Sequence, residues 1–272
     1  MSMRPFEGLR GGVIVPLVTP LDAAGEVAVA DVARLIGSVR DHVTALMPTL
    51  SSGEGWLLTE RQWTAMVAAT VHHAAGLPVI AGVQLPDTEA VVRRVRAAAG
   101  LGADAVAVTT PFRAGVSQKR IVEHFRTVLA TGVPVLLYNE VALSGNHVER
   151  DTLLQLARLP GVIGIKESSG DPAFTRDLVA AEPGVPVFEG WENLLSHAGG
   201  VHGFIGPLAN LEPALCADLL REPVAHRQHA VDAACDAYGI LRDDWYRWVK
   251  HELVARGIIG TATTAAQPKA AP

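Results

Sequence analysis

The sequence predicts an α/β protein folded as a (β/α)8 TIM barrel with a small C-terminal helical extension, and three observations predict it. Eight short runs rich in Val and Ile recur along the 272 residues. Each run is almost continuously apolar, the pattern of a parallel strand covered on both faces rather than the alternation of a half-exposed one. Amphipathic stretches separate the runs at intervals of roughly twenty to thirty residues, which suits a closed barrel of about 250 residues better than an open doubly wound sheet.

In order, the runs are GVIVPLV from Gly12, ALMPTLSS from Ala45, LPVIAGV from Leu77 and DAVAVTT from Asp104. VPVLLYN from Val133, VIGIKES from Val162, VPVFEGW from Val185 and GFIGPL from Gly203 complete the set. Between them, TERQWTAMVAATVHHAAG, DTEAVVRRVRAAAG, SQKRIVEHFRTVLATG and ERDTLLQLARLPG place apolar residues at helical spacing with Gly or Pro at their ends, as crossover helices do. No dinucleotide-binding glycine fingerprint follows the first run. After the eighth, EPALCADLL, a stretch from Val224 to Leu241 and another from Asp243 to Arg256 exceed what a barrel needs. Residues 1–223 are therefore expected to form the barrel, 224–257 a helical extension and 258–272, whose last dozen residues are small and polar, a flexible tail.

Hydrophobic residues at 49% against 19% charged suit a large core, and a net charge of -5 without a basic stripe gives no surface for nucleic acid. Cys216 and Cys235 stand alone, so neither a disulfide framework nor a structural zinc site is expected. The histidines are scattered without an HExxH pair, which disfavours a metal-dependent aldolase. The N-terminal stretch lacks an apolar segment before a cleavage site, and no run of about eighteen apolar residues follows, so a soluble cytoplasmic protein without membrane contact is expected.

In barrel enzymes the chemistry sits where strands end, and three ends stand out. The second run closes in Ser51-Ser52-Gly53-Glu54, the fifth in Tyr138-Asn139-Glu140 and the sixth in Lys166-Glu167-Ser168. Lys166 follows Val162-Ile163-Gly164-Ile165, so its ammonium would be poorly solvated, and desolvation yields the neutral amine that attacks a carbonyl. Position alone leaves open a lysine that merely reaches water at the rim or pairs with a carboxylate. Tyr138, one strand away, is either a proton carrier for that amine or a phenol anchored to backbone. Ser51 and Ser52 offer hydroxyls for a carboxylate, or make an ordinary Ser-Gly turn.

The ordered set Val18-Thr19-Pro20, SSGE, Thr109-Thr110-Pro111-Phe112, YN followed by ALSG, GIKESSGD and GGVHGFIG resembles the dihydrodipicolinate synthase and N-acetylneuraminate lyase family of Schiff-base class I aldolases, nearly as far as Leu220. The resemblance implies Lys166 as the imine-forming residue, Tyr138 as the proton relay, and Ser51 and Ser52 beside the carboxylate of a 2-oxo acid. Glu192 matches an acidic position that holds substrate hydroxyls in the lyases, though it equally suits a carboxylate at a helix N-terminus. Ile205, in the GFIG segment, joins the expected substrate contacts. A homotetramer or homodimer is implied, and no cofactor.

The departures are informative. Leu143 stands where synthases carry a carboxylate-gripping arginine and makes no ion pair, which argues against dihydrodipicolinate synthesis. Val141 replaces a loop proline, and Pro207 replaces the hydroxyl-bearing residue of the sialic acid lyases. Arg113 stands where relatives place a tyrosine that reaches the neighbouring subunit; it is expected either to meet an anionic substrate tail or to be an exposed loop residue. The expected activity is a lyase or aldolase that makes or breaks a carbon-carbon bond between pyruvate and an aldehyde, of the 2-keto-3-deoxy sugar acid type. A hydro-lyase or a synthase-like condensation through the same imine is the alternative. From another class, a barrel that binds a 2-oxo acid without turnover remains.

Overall fold

A computed structural model of the chain describes residues 8–265 apart from residue 10. All eight apolar runs are strands: β1 (Gly12–Val15), β2 (Ala45–Leu46), β3 (Ile80–Val83), β4 (Ala105–Thr109), β5 (Val135–Glu140), β6 (Val162–Ser168), β7 (Val187–Glu189) and β8 (Gly203–Phe204). They pair in parallel in the order β2-β1-β8-β7-β6-β5-β4-β3, and a parallel bridge between Leu46 and Val79 brings the two ends of that order together. This is the (β/α)8 barrel the sequence predicts.

The crossover helices are α1 (Val29–Val39), α2 (Glu60–His73), α3 (Thr88–Gly100), α4 (Gln118–Leu129), α5 (Arg150–Ala157), α6 (Pro172–Ala180), the short α7 (Leu195–Ala198) and α8 (Pro213–Arg221). Local chemistry fixes several starts. Thr59 and Gln62 form a reciprocal capping box on α2, Asp87 accepts from Ala90 N on α3, and Asp171 accepts from Ala173 N with Pro172 in the first turn of α6.

Alternation along the strands divides the buried residues into two shells. Ile14, Met47, Ile80, Leu136, Tyr138 and Phe188 point into the barrel, while Val15, Val83, Val108, Leu137 and Ile165 face the helices. The register sets Tyr138, Lys166 and Phe188 side by side on β5, β6 and β7. Gly164, one inward position below Lys166, is closely packed: a Cβ there would lie 3.2 Å from both Leu136 Cδ1 and Pro186 O. Lysine thus stands above a floor of packed apolar side chains.

Two further helices, α9 (Ala225–Tyr238) and α10 (Trp245–Ala255), follow the barrel, and the loop between them reaches the C-terminal mouth. The flexible tail expected at 258–272 needs correction as far as residue 265. Ile259 and Ala265 are buried, Gly260 N donates to Asp31, and Thr261 Oγ1 donates to Leu21 O at 2.6 Å. Ala265 N donates to Glu54 Oε2 at 2.6 Å, and the carboxylate of that Glu54 pairs with the fully buried Lys250 of α10. Ile259 docks through its side chain, and the small residues after it dock through backbone groups and the Thr261 hydroxyl. The remainder of the expected tail, 266–272, lies outside the described residues. Among the described residues no helix is long and apolar enough to cross a membrane.

Candidate active site

At the C-terminal end of the strands a cavity of about 330 Å³ opens, with Lys166, Tyr138, Ser51, Ser52 and Glu192 in its wall. The strand ends carry them there: Ser51 and Ser52 begin a 3-10 turn after β2, Tyr138 and Lys166 are inward positions of β5 and β6, and Glu192 opens a 3-10 turn after β7. All five are buried.

Lys166 Nζ lies 4.0 Å from the centre of the Tyr138 ring, and among the described residues no carboxylate forms an ion pair with it. Burial lowers its pKa from 10.5 to about 7, against the more distant charges of Glu140, Glu192 and Glu189 that favour the ammonium. Near neutral pH a large share of the amine is therefore unprotonated. Burial, then the charge of Glu140, pushes the Tyr138 phenol up, so its proton is firmly held until a stronger acceptor forms beside it. Tyr138 Oη lies 3.5 Å from Ser51 Oγ, which in turn accepts from Gln84 Nε2 at 3.0 Å. Because Gln84 is the donor in that bond, the Ser51 hydroxyl hydrogen is free to turn toward the phenol.

Burial also raises Glu192 to about 7, opposed by the Leu208 N–H and by Lys166. Its Oε1 accepts Leu208 N at 2.8 Å, so the carboxylate reaches across to the segment after β8 rather than capping its own turn. Gly206 makes this possible, since a Cβ there would sit 2.5 Å from Glu192 Oε1. Glu140, beyond Tyr138, turns its carboxylate back to Leu143 N and Ser144 N at 2.9–3.1 Å and fixes the loop after β5.

Two expected contacts are not brought to the cavity. Ile205 is fully buried in the inner barrel shell and packs beneath the site. Arg113 is exposed on the loop after β4 and does not line the cavity of its own chain. Conversely, sequence reading singled out neither Gln84 nor the residues that roof the cavity, Ile240, Leu241, Arg242, Asp243 and Trp245. Gln84 directly follows the third apolar run and carries that weak signal; the roof residues carry none, since only the packing of α9 and α10 brings them over the barrel. No group of three or more metal-ligating side chains occurs among the described residues.

The profile of the Dihydrodipicolinate synthetase family matches residues 9–235. The chain belongs to that family. It is 34% identical over 215 residues to an uncharacterized DapA-like lyase of Halobacterium salinarum, covering 76% of this chain and 70% of the relative. It is also 34% identical over 209 residues to the 4-hydroxy-tetrahydrodipicolinate synthase of Exiguobacterium sibiricum, covering 75% and 71%. The dihydrodipicolinate synthase structure from Bacteroides thetaiotaomicron superposes with a TM-score of 0.86 at 25% identity, over 96% of this chain and 93% of that one. Family membership makes the chain an enzyme of the Schiff-base aldolase and lyase class. Lys166 and Tyr138 both fall within the matched residues.

Proposed function

We propose that the protein is a pyruvate-type lyase or aldolase in which Lys166 forms an imine with C2 of a 2-oxo acid. The observation that carries this reading is a buried lysine, without an ion-pair partner among the described residues and with its pKa near 7, beside a buried tyrosine at the mouth of the barrel. Ser51 and Ser52 take the 2-oxo acid carboxylate from the opposite side of the mouth.

The cycle begins when neutral Lys166 adds to C2. As the carbinolamine nitrogen expels hydroxide, Tyr138 gives up its proton and water departs, leaving a protonated imine and a phenolate. The raised affinity of this phenolate for a proton suits it to take one from the C4 hydroxyl. The C4 oxygen then forms a carbonyl, the C3–C4 electron pair moves into the imine, and an enamine of pyruvate remains as the aldehyde leaves. Protonation at C3 and hydrolysis return the amine and free pyruvate. The reverse sequence joins pyruvate to an aldehyde. Assembly as a homotetramer or its constituent dimer, in the cytoplasm, belongs to the same reading and rests on family membership; light scattering measures the oligomer.

Enamine formation is testable without knowing the aldehyde. Pyruvate incubated with the protein in deuterium oxide should exchange its methyl protons far faster than pyruvate alone, followed by proton NMR. Exchange at the rate without enzyme would overturn the proposal.

A further inference from the structure

The cavity has two unlike halves. Around Lys166 lie Tyr138, Ser51 and Ser52, which the proposed pyruvate imine occupies. Away from Lys166 the apolar wall is formed by Leu143 after β5, Trp191 after β7, Pro207 after β8, and Ile240, Leu241 and Trp245 from the α9–α10 roof, with Glu140, Ser168 and Glu192 as the polar residues between them. Both tryptophans are half-buried, and their indole Nε1 atoms are buried and without a hydrogen-bond partner. The surface that these indoles give the cavity is therefore carbon.

Two of the carboxylates nearest this half are engaged, while Ser168 Oγ, beside Trp191, is buried without a hydrogen-bond partner among the described residues. Glu140 accepts from Leu143 N and Ser144 N, and Glu192 Oε1 accepts from Leu208 N. Arg242 and Asp243 are exposed at the outer rim, and the Arg242 guanidinium stacks 4.6 Å over the Trp248 ring. A chain of hydroxyls placed against Leu143, Pro207 and Ile240 would lose its water and find few partners, at a cost for each group left unpaired. An apolar substituent gains from the same walls, and a flat ring suits two indole faces best. The size of the cavity, at the low end of the range for small-molecule sites, admits pyruvate with one further small group.

Resting on the lysine-imine reading, we propose that the aldehyde partner carries an apolar substituent, a single aryl ring being the preferred form, rather than a polyhydroxylated chain. In the addition direction C3 of the enamine attacks the aldehyde carbon. The carbonyl electron pair moves to oxygen, which takes a proton from Tyr138, and water hydrolyses the resulting imine. The product is a 4-aryl-4-hydroxy-2-oxo acid, and pyruvate and aldehyde account for all its atoms. The 2-keto-3-deoxy sugar acids expected from sequence then become poor substrates.

The test uses the unaltered protein with saturating pyruvate and one of three aldehydes: benzaldehyde, D-glyceraldehyde or succinic semialdehyde. Product formation is followed by liquid chromatography and mass spectrometry, with proton exchange of pyruvate measured on the same preparation. The expected result is a kcat/KM for benzaldehyde at least about tenfold above both others, since each competitor buries polar groups that this wall leaves unpaired. Exchange together with equal or faster reaction of glyceraldehyde, or of the semialdehyde through Arg242, would overturn the inference and leave the imine standing. Absence of exchange would remove the imine and this inference with it.

Discussion

Among the described residues two lysines are buried, and their surroundings differ in one respect that decides their use. Lys250, on α10, is fully enclosed but paired: its ammonium meets the Glu54 carboxylate and donates to Thr263 O at 2.8 Å, while Ala265 N completes the cluster on Glu54. Lys166, on β6, is nearly as enclosed but has a phenol ring for a neighbour and no ion-pair partner among the described residues. Burial lowers the pKa of both, and only for Lys250 does a contacting carboxylate oppose it through a hydrogen bond. A paired ammonium ties chain segments together. An unpaired amine is left to react.

The largest expected effect comes from deleting the unpaired one. Lys166→Met should reduce turnover by about 10⁴-fold or more, because no other group supplies the nucleophile. The same substitution should raise thermal stability, and the sign depends on pH. The Lys166 pKa falls from 10.5 to about 7 on folding, so between those values the unfolded chain holds a proton that the folded one has released. Stability therefore rises with pH through that window, and below pH 7 the folded protein bears the full cost of a buried charge. Thermal melts at pH 6 should show Lys166→Met above the unaltered protein by at least roughly 2–4 °C, the gain fading toward pH 10.

Lys250→Met should do the opposite. Loss of one partner leaves Glu54 buried and uncompensated, a cost of about 3–5 kcal/mol readable in urea unfolding, and Lys250→Met combined with Glu54→Leu should recover most of it. A single-lysine variant as stable as its parent would break the contrast between the two sites.

Tyr138→Phe removes the proton carrier while keeping the ring beside Lys166 and should cut kcat by about 10²–10³-fold, measured as pyruvate release or product formation. In the unaltered enzyme, kcat/KM should rise about tenfold per pH unit below 7 and level off above it, as the Lys166 ammonium gives up its proton. The smallest effect should come from Gln84→Leu. It removes the donor that orients the Ser51 hydroxyl and should lower kcat by roughly fivefold, the worth of one ordinary hydrogen bond, with the loss restored in part by Gln84→Asn.

The contrast also marks what was legible in the sequence. Lys166 could be found because a parallel strand buried on both faces reads as an apolar run, and a lysine ending one is conspicuous. Tyr138 followed from the same pattern one strand earlier. Lys250 could not be found, since its partner lies 196 residues away and nothing in α10 distinguishes it from a solvated helix lysine. Residues 260–265 read as a tail for a related reason: the bonds that hold them come from backbone groups and from Thr hydroxyls, which look the same in a docked and a free segment. The roof over the cavity depends on how α9 and α10 pack, so Arg242 and Trp245 were invisible as site residues. Arg113 shows the converse, a residue that motif order placed near chemistry and the fold leaves exposed on its own chain.

The central claim is that burial without a partner makes Lys166, and not Lys250, the amine that captures a carbonyl. The most direct measurement is to incubate the protein with pyruvate and borohydride near pH 8, digest it, and locate the label by peptide mass spectrometry. One reduced pyruvyl group on the peptide containing Lys166, with none on the peptide containing Lys250, is the predicted result. Labelling at another lysine, or none at all, would contradict it.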